Sequence, residues 1–205
     1  MVMNDQWKQM ERQLKEELDK KRYQHTVGVA YTASCLAMRY DADLSKAMLA
    51  GLLHDCAKCL PGQKQVHLCK KHHIAIRDVE LVNPSLLHAK LGAFLAKTKY
   101  GVDDVEILHA IEVHTTGSPG MNLLDKIVFV ADYIEPNREK AFGLPEIRRL
   151  AFADMDQAVV RILHDTMHYL NQKKGAIDPK TQETYQYYIE QWNRREEKEK
   201  KDEFA

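Results

Sequence analysis

Four histidines and two aspartates stand where the chain's apolar segments begin or end: His25, His54, Asp55, His88, His114 and Asp132. Imidazole nitrogen combined with carboxylate oxygen is the donor set of borderline divalent ions such as iron, manganese, cobalt or zinc, whereas an all-oxygen set would favour magnesium. Each residue alone is weak, because a lone histidine in a helical protein is more often a surface or hydrogen-bonded group than a ligand. The neighbouring pair His54-Asp55 imposes a condition. Adjacent residues on a helix diverge by roughly 100°, so both can face one ion only if the helix ends or distorts there, which Leu60-Pro61 soon afterwards permits.

Almost every segment around these residues has helical periodicity. Trp7, Met10, Leu14 and Leu18 form one apolar stripe, and a second helix is expected from Arg22 to Arg39. Asp43 is placed to cap a third that ends at His54-Asp55, and a short polar helix should follow near Gln63 to His72. Asn83-Pro84 opens one running to Lys99, and Asp103 is expected to cap another from Asp104 to His114. Asn122 caps "LLDKIVFVADYI". Pro145 starts a single long helix to about Leu170 with Gly175 as its stop, and Asp178-Pro179 begins the last. With no convincing strand and no repeat, the fold class expected is all-α. One domain is expected over residues 1–195, followed by a charged tail, 196–205, expected to be disordered.

Lys plus Arg and Asp plus Glu both number 30 among the 205 residues, which removes the global positive field that drives nucleic-acid binding. No apolar run is long enough to span a bilayer and "MVMNDQWKQMERQ" lacks the apolar core of a signal peptide, so a cytoplasmic protein without membrane contact is expected. Four irregularly placed cysteines do not resemble a disulfide framework.

The ordered segments "RYQHTVGVA", "LLHDCAK", "LLHAKLGA", "EVHTTG" and "DKIVFVADYIEPNR" resemble the HD-domain superfamily of metal-dependent phosphohydrolases, over about Arg22 to Arg138. Within it they are most similar to the bacterial YqeK-type branch of symmetrical bis(5'-nucleosyl)-tetraphosphatases. The resemblance implies a helical bundle with a metal site between helices, held by His25, His54, Asp55 and Asp132. The ion would be a divalent transition metal, iron first, with manganese, cobalt or zinc as alternatives. His88 and His114 would hold a second ion bridged through Asp55, or else bind substrate phosphate beside a single one. The resemblance also implies phosphate contacts from Lys58, Arg138 and the loop Thr115-Thr116-Gly117, and a nucleotide contact at Thr181. Asp178 departs from the branch's usual "IHP-T" at this last place. The activity implied is symmetrical hydrolysis of diadenosine tetraphosphate to two ADP, with Asp55 or Asp132 orienting water and Lys58 stabilising charge on phosphate. Two other functions remain open: another HD-type nucleotide phosphohydrolase or phosphodiesterase, and a non-catalytic metal-binding interaction protein.

Several features invite rival readings. Cys56, Cys59, Cys69 and His72 or His73 have the spacing of a structural zinc site, but a knuckle there would pull the chain away from the geometry Asp55 needs. Small buried apolar residues or free thiols are the commoner reading. His164 and His168 share a helix face without a glutamate following His164, and His109 lies roughly 140° around its helix from His114, so none is expected to be a ligand. The stripe of Trp7, Met10 and Leu14 is expected to be packing or the surface of a homodimer.

Overall fold

The computed structural model describes residues 5–139, 143–172 and 177–203, and among them there are eleven α-helices and no strand. They are α1 (Asp5–Glu17), α2 (Lys20–Arg39), α3 (Leu44–Leu53), α4 (Gly62–Lys71), α5 (Asp78–Val82), α6 (His88–Thr98), α7 (Val105–Val113), α8 (Leu123–Ile134), α9 (Leu144–Ala153), α10 (Met155–Gln172) and α11 (Pro179–Glu203). A 3-10 turn, Pro84–Leu87, leads into α6. The all-α expectation holds, and no described helix is long and apolar enough to cross a membrane.

Helix α8 is the axis of the bundle, with α2, α3, α7 and α10 packed around it. Its apolar residues from Ile127 to Ala131 and Ile134 are buried, as "KIVFVA" requires of a helix surrounded on most sides. Helices α2 and α3 approach closely because their facing residues are small. A Cβ added at Gly51 would stand 2.9 Å from the Ala30 Cα, so alanine there would force the two helices apart. That contact fixes the helix carrying His25 against the helix that ends at His54. Trp7, Met10 and Leu14 are buried within this one chain, so the stripe is packing. The homodimer expectation thereby loses the residues it rested on.

Local signals set most boundaries, with four departures. Asn122 and Asp125 form a reciprocal cap at the start of α8, each side chain accepting from the other's backbone N–H. Helix α7, however, is capped by Asp104, whose carboxylate accepts from the amides of Glu106 and Ile107, and not by Asp103. The long helix expected from Pro145 is two. Asp154 is extended (φ −147°, ψ 106°), closes α9 with its own N–H and accepts from the Gln157 amide to start α10. Asp154-x-x-Gln157 is a capping signal that the continuous apolar period concealed. Helix α5 was not anticipated at all. Helix α11 continues to Glu203, through the segment expected to be a disordered tail, with Trp192–Glu196 and Arg195–Glu199 side-chain contacts along its exposed surface. The stop expected at Gly175 lies outside the described residues.

Candidate metal centre

All six histidines and aspartates singled out by spacing meet in the space between α2, α3, α6, α7 and α8. Five of them form two triads, His25-His54-Asp55 and Asp55-His88-His114, that share Asp55. One carboxylate oxygen serves each: Asp55 Oδ2 lies 3.4 Å from His54 Nε2 and 3.8 Å from His25 Nε2, while Oδ1 lies 3.2 Å from His88 Nε2 and 3.7 Å from His114 Nε2. Asp132 projects from α8 beside the first triad, with Oδ1 3.0 Å from His25 Nε2 and 3.8 Å from His54 Nε2. The condition on the adjacent pair is met because α3 stops at Leu53. Tight turns follow, the Cys56 amide donating to the Leu53 carbonyl and the Lys58 amide to that of Asp55. His54 and Asp55 are fully enclosed, so it is Asp132, Lys58 and Arg138 that line the mouth.

The local chain fixes which nitrogen each imidazole presents. His54, His88 and His114 sit at helix ends, where Nδ1–H turns back to the carbonyl three residues earlier: Gly51 at 2.7 Å, Ser85, and Ile111 at 2.7 Å. His25, within α2, has no free carbonyl to use, and its Nδ1 instead faces Glu135 Oε1 at 3.0 Å. Every Nε2 is thus left as a lone pair aimed inward, the arrangement that orients histidine ligands. His25 Nε2, His54 Nε2 and Asp55 Oδ1 are buried without a hydrogen bond. His88 Nε2 and His114 Nε2 stand 3.2 Å apart, two lone pairs in contact unless a proton or cation lies between them. Orphaned buried acceptors facing one another are costly, and a divalent cation relieves them together. The donors fit an ion that accepts nitrogen and oxygen.

Electrostatics keeps Asp55, Asp132 and His88 in ligand-competent forms. Burial alone would raise the pKa of Asp55, yet the surrounding imidazoles hold it well below the usual carboxylate range. Asp132 is likewise lowered despite burial, by His25 and the Arg138 guanidinium. Burial pushes His88 down to about 4, so it remains a neutral donor. For His25, burial opposes protonation, but Asp132, Glu135 and Asp55 outweigh it and raise the pKa.

Three cations, Lys58, Arg138 and Arg22, and the Thr115 hydroxyl surround these acids. Lys58 Nζ lies 3.3 Å from both ring nitrogens of His88, with its pKa lowered by burial. Arg138 Nη2 is 2.8 Å from Asp132 Oδ1 and its Nε donates to the Asp132 carbonyl. Thr115 Oγ1 is 3.1–3.2 Å from His114 Nε2 and His88 Nε2. Thr181 is buried in the first turn of α11, apart from the two triads. Two residues of the centre escaped the reading of spacing. Arg22, 2.6 Å from Asp55 Oδ2, is one turn before His25 on the same face of α2, and Glu135 is almost one turn after Asp132 at the end of α8. Both could have been found from those i, i+3 relations to ligands.

The rival sets do not assemble. Cys56 is buried with Sγ against the Gly92 carbonyl, its thiol pushed up to about 12 by burial; Cys59 contacts Asp19, and Cys69 lies in a separate apolar cluster with Ala57, Leu87 and Leu91. No cysteine belongs to a ligand group among the described residues. His109 faces Asp125, His164 pairs with Asp165, and His168 meets Gln172.

A helical bundle that gathers histidines and an adjacent His-Asp pair from separate helices defines a class, and a model of the HD domain family matches residues 22–137: the chain belongs to that family. Its relatives narrow the comparison. It is 42% identical over 177 residues to the symmetrical bis(5'-nucleosyl)-tetraphosphatase of Bacillus subtilis (strain 168), covering 86% of this chain and 94% of the relative. It is 37% identical over 176 residues to the enzyme of the same name from Staphylococcus aureus (strain NCTC 8325 / PS 47), covering 85% and 90%. A crystal structure from Clostridium acetobutylicum, described as that of a predicted HD superfamily hydrolase involved in NAD metabolism, superposes with a TM-score of 0.87 at 41% identity, covering 90% of this chain and 97% of that one.

Proposed function

We propose that this chain is a metal-dependent hydrolase that cleaves diadenosine tetraphosphate, and related dinucleoside tetraphosphates, symmetrically into two nucleoside diphosphates. The observation that carries the reading is a pair of ligand triads sharing Asp55, beside three cations, in a chain that aligns nearly end to end with relatives named for this activity. His25, His54, Asp55 and Asp132 would hold the ion, and His88 and His114 a second ion or a substrate phosphate. Iron is the ion assigned first, and the mixed nitrogen and oxygen donors accept manganese, cobalt or zinc as alternatives. When bound, such an ion acidifies water and offsets charge on phosphoryl oxygens.

The protein's own groups do the rest. Asp132 is the only one of the four proposed ligands for the first ion with appreciable solvent access, its side chain 20% exposed, so it is the carboxylate that can orient the attacking water. Lys58, Arg138 and the Thr115 hydroxyl bind phosphate oxygens and hold one nucleoside diphosphate half against the centre. Water oxygen then bonds to one of the two central phosphorus atoms. The bridging oxygen departs with the other half, so both products of diadenosine tetraphosphate are ADP. A cytoplasmic location accords with a nucleotide substrate.

Chromatography of the products of the metal-loaded protein tests the reading. Two ADP are expected, with solvent oxygen in only one of them and loss of the reaction on chelation. AMP with ATP would overturn symmetrical cleavage, and no turnover of any nucleotide would favour a binding protein.

A further inference from the structure

The start of α11 is tied to the start of α5 by an ionic network, its carboxylates buried, that the metal centre does not use. Arg77 donates through Nη1 and Nη2 to the two carboxylate oxygens of Asp178 at 2.7 and 2.8 Å, across 101 residues of sequence. Asp178 is buried, and the same carboxylate caps α11 by accepting from the Lys180 amide. Behind Arg77 stands Glu80, 1% exposed, which accepts from the Arg77 amide, from Arg77 Nη2 and from Lys90 Nζ. Lys90 lies on α6, two residues beyond His88.

This network lies beside the Thr115-Thr116-Gly117 loop. Thr115, Thr116, Arg77, Glu80, Lys90 and Lys180 line one small cavity, and Thr115 is the residue in contact with His88 and His114. One turn along α11, the fully buried Thr184 closes on the same loop: a Cβ on Gly117, whose φ of +65° also favours glycine, would lie 2.7 Å from the Thr184 methyl. The first turn of α11 is therefore a wall of the phosphate loop, and that wall is held by a bidentate ion pair between the half-buried Arg77 and the buried Asp178.

We infer that Arg77 and Asp178 form a latch that positions the first turn of α11 against the Thr115-Thr116-Gly117 loop and so sets the affinity for the part of the substrate that extends beyond the metal centre. The inference rests on the hydrolase reading for its substrate, and both residues are positioning residues. Asp178→Asn keeps an oxygen for the cap while removing the charge, and Arg77→Met removes the fork while keeping much of the stem. Each should raise KM for diadenosine tetraphosphate about 3- to 10-fold with kcat within about twofold and metal content unchanged, the scale of a lost charge-assisted contact acting at one remove. The double variant should be no worse than the poorer single one, because the residues act as a pair. Arg77→Lys should fall between parent and Arg77→Met.

Hydrogen exchange at residues 115–117 and 178–184 gives a readout independent of turnover, and it should quicken at both segments in Asp178→Asn. A lower melting temperature with KM and loop exchange unchanged would overturn the latch and leave a merely structural pair. A fall in kcat or metal content at constant KM would also overturn it, by moving the effect to the metal centre. If the parent protein does not cleave the tetraphosphate, the hydrolase reading fails by itself, and the exchange at 115–117 alone decides whether the latch positions the loop.

Discussion

Replacing Gly28 by alanine tests the orientation of His25 without touching a ligand. A Cβ at that position of α2 would collide with Glu135 Oε2 and stand 3.1 Å from Asn137 Nδ2. A glutamate tip could ordinarily swing aside. Here it is 1% exposed and held by the Asn137 amide at 2.7 Å, Asn137 Nδ2 at 3.0 Å and His25 Nδ1 at 3.0 Å, so moving it breaks the contact that turns His25 Nε2 inward. Alanine in a helix interior gains about 1 kcal/mol over glycine. Losing a hydrogen bond to a charged group costs about 1.5–3 kcal/mol, leaving a net loss of about 0.5–2 kcal/mol. For a chain of this size that is a fall of about 1–8 °C in melting temperature. The effect on metal should be larger in proportion, about a 10- to 100-fold weaker affinity, as for other partners that orient a histidine ligand. Calorimetric metal titration and thermal melts of Gly28→Ala, beside Glu135→Gln as a variant of unchanged size, provide the measurement. A Gly28→Ala protein that melts higher than the parent and binds metal equally well would refute the reasoning.

Asp55→Ala should remove nearly all bound metal while the far-ultraviolet spectrum stays helical, whereas His109→Ala, His164→Ala and His168→Ala should match the parent in metal analysis; metal loss from His164→Ala would mean the centre is elsewhere. Replacing Cys56 and Cys59 together by serine should leave metal content unchanged at a cost of about 1–3 kcal/mol for putting a hydroxyl in place of the buried Cys56 thiol, and a loss of one equivalent of zinc would revive the cysteine site. Glu80 supplies a pH dependence. Its burial favours the neutral acid, but Arg77 and Lys90 bond to the ionised form and lower its pKa, so the folded state carries fewer protons than the unfolded one. The stability it confers is complete above the ordinary glutamate value of about 4.3 and is lost as pH falls through the lowered folded value. Acid unfolding of Glu80→Gln should show a shallower dependence across that window, and an unchanged slope would exclude the role.

Much of the centre was legible in the sequence because its members obey local rules. Helix ends are written in caps such as Asn122 and Asp43 and in breakers such as Pro61, and a histidine at a helix end can turn its Nδ1 to a carbonyl three residues back. Side chains at such positions point into the space between helices, so His54 and His114 were marked by chemistry and position alone, whereas His88 was expected inside a helix and gains its helix-end position from the 3-10 turn Pro84–Leu87. The same locality failed where two signals overlapped. Asp154 offered a cap inside an unbroken apolar period, and the period concealed it. Asp103 and Asp104 are chemically equal candidates, and packing of Val102 and Ile107 into the core decided for Asp104.

Tertiary structure alone decided everything that depends on closure across long separations. That Glu135 would orient His25, 110 residues away, follows from α2 and α8 lying side by side with Gly28 leaving room between them. That Arg77 would find Asp178 depends on where α5 and the start of α11 come to rest. Nor does spacing reveal that the two oxygens of one aspartate divide four histidines into two sets; that is set by the α3 terminus entering the bundle between α2 and α7. A residue's donors and its place on a helix are properties of a few neighbouring residues, and sequence carries them. The partner it meets is fixed by how the whole core packs, since a shift of one helix by a turn would exchange every such partner while leaving each local signal intact.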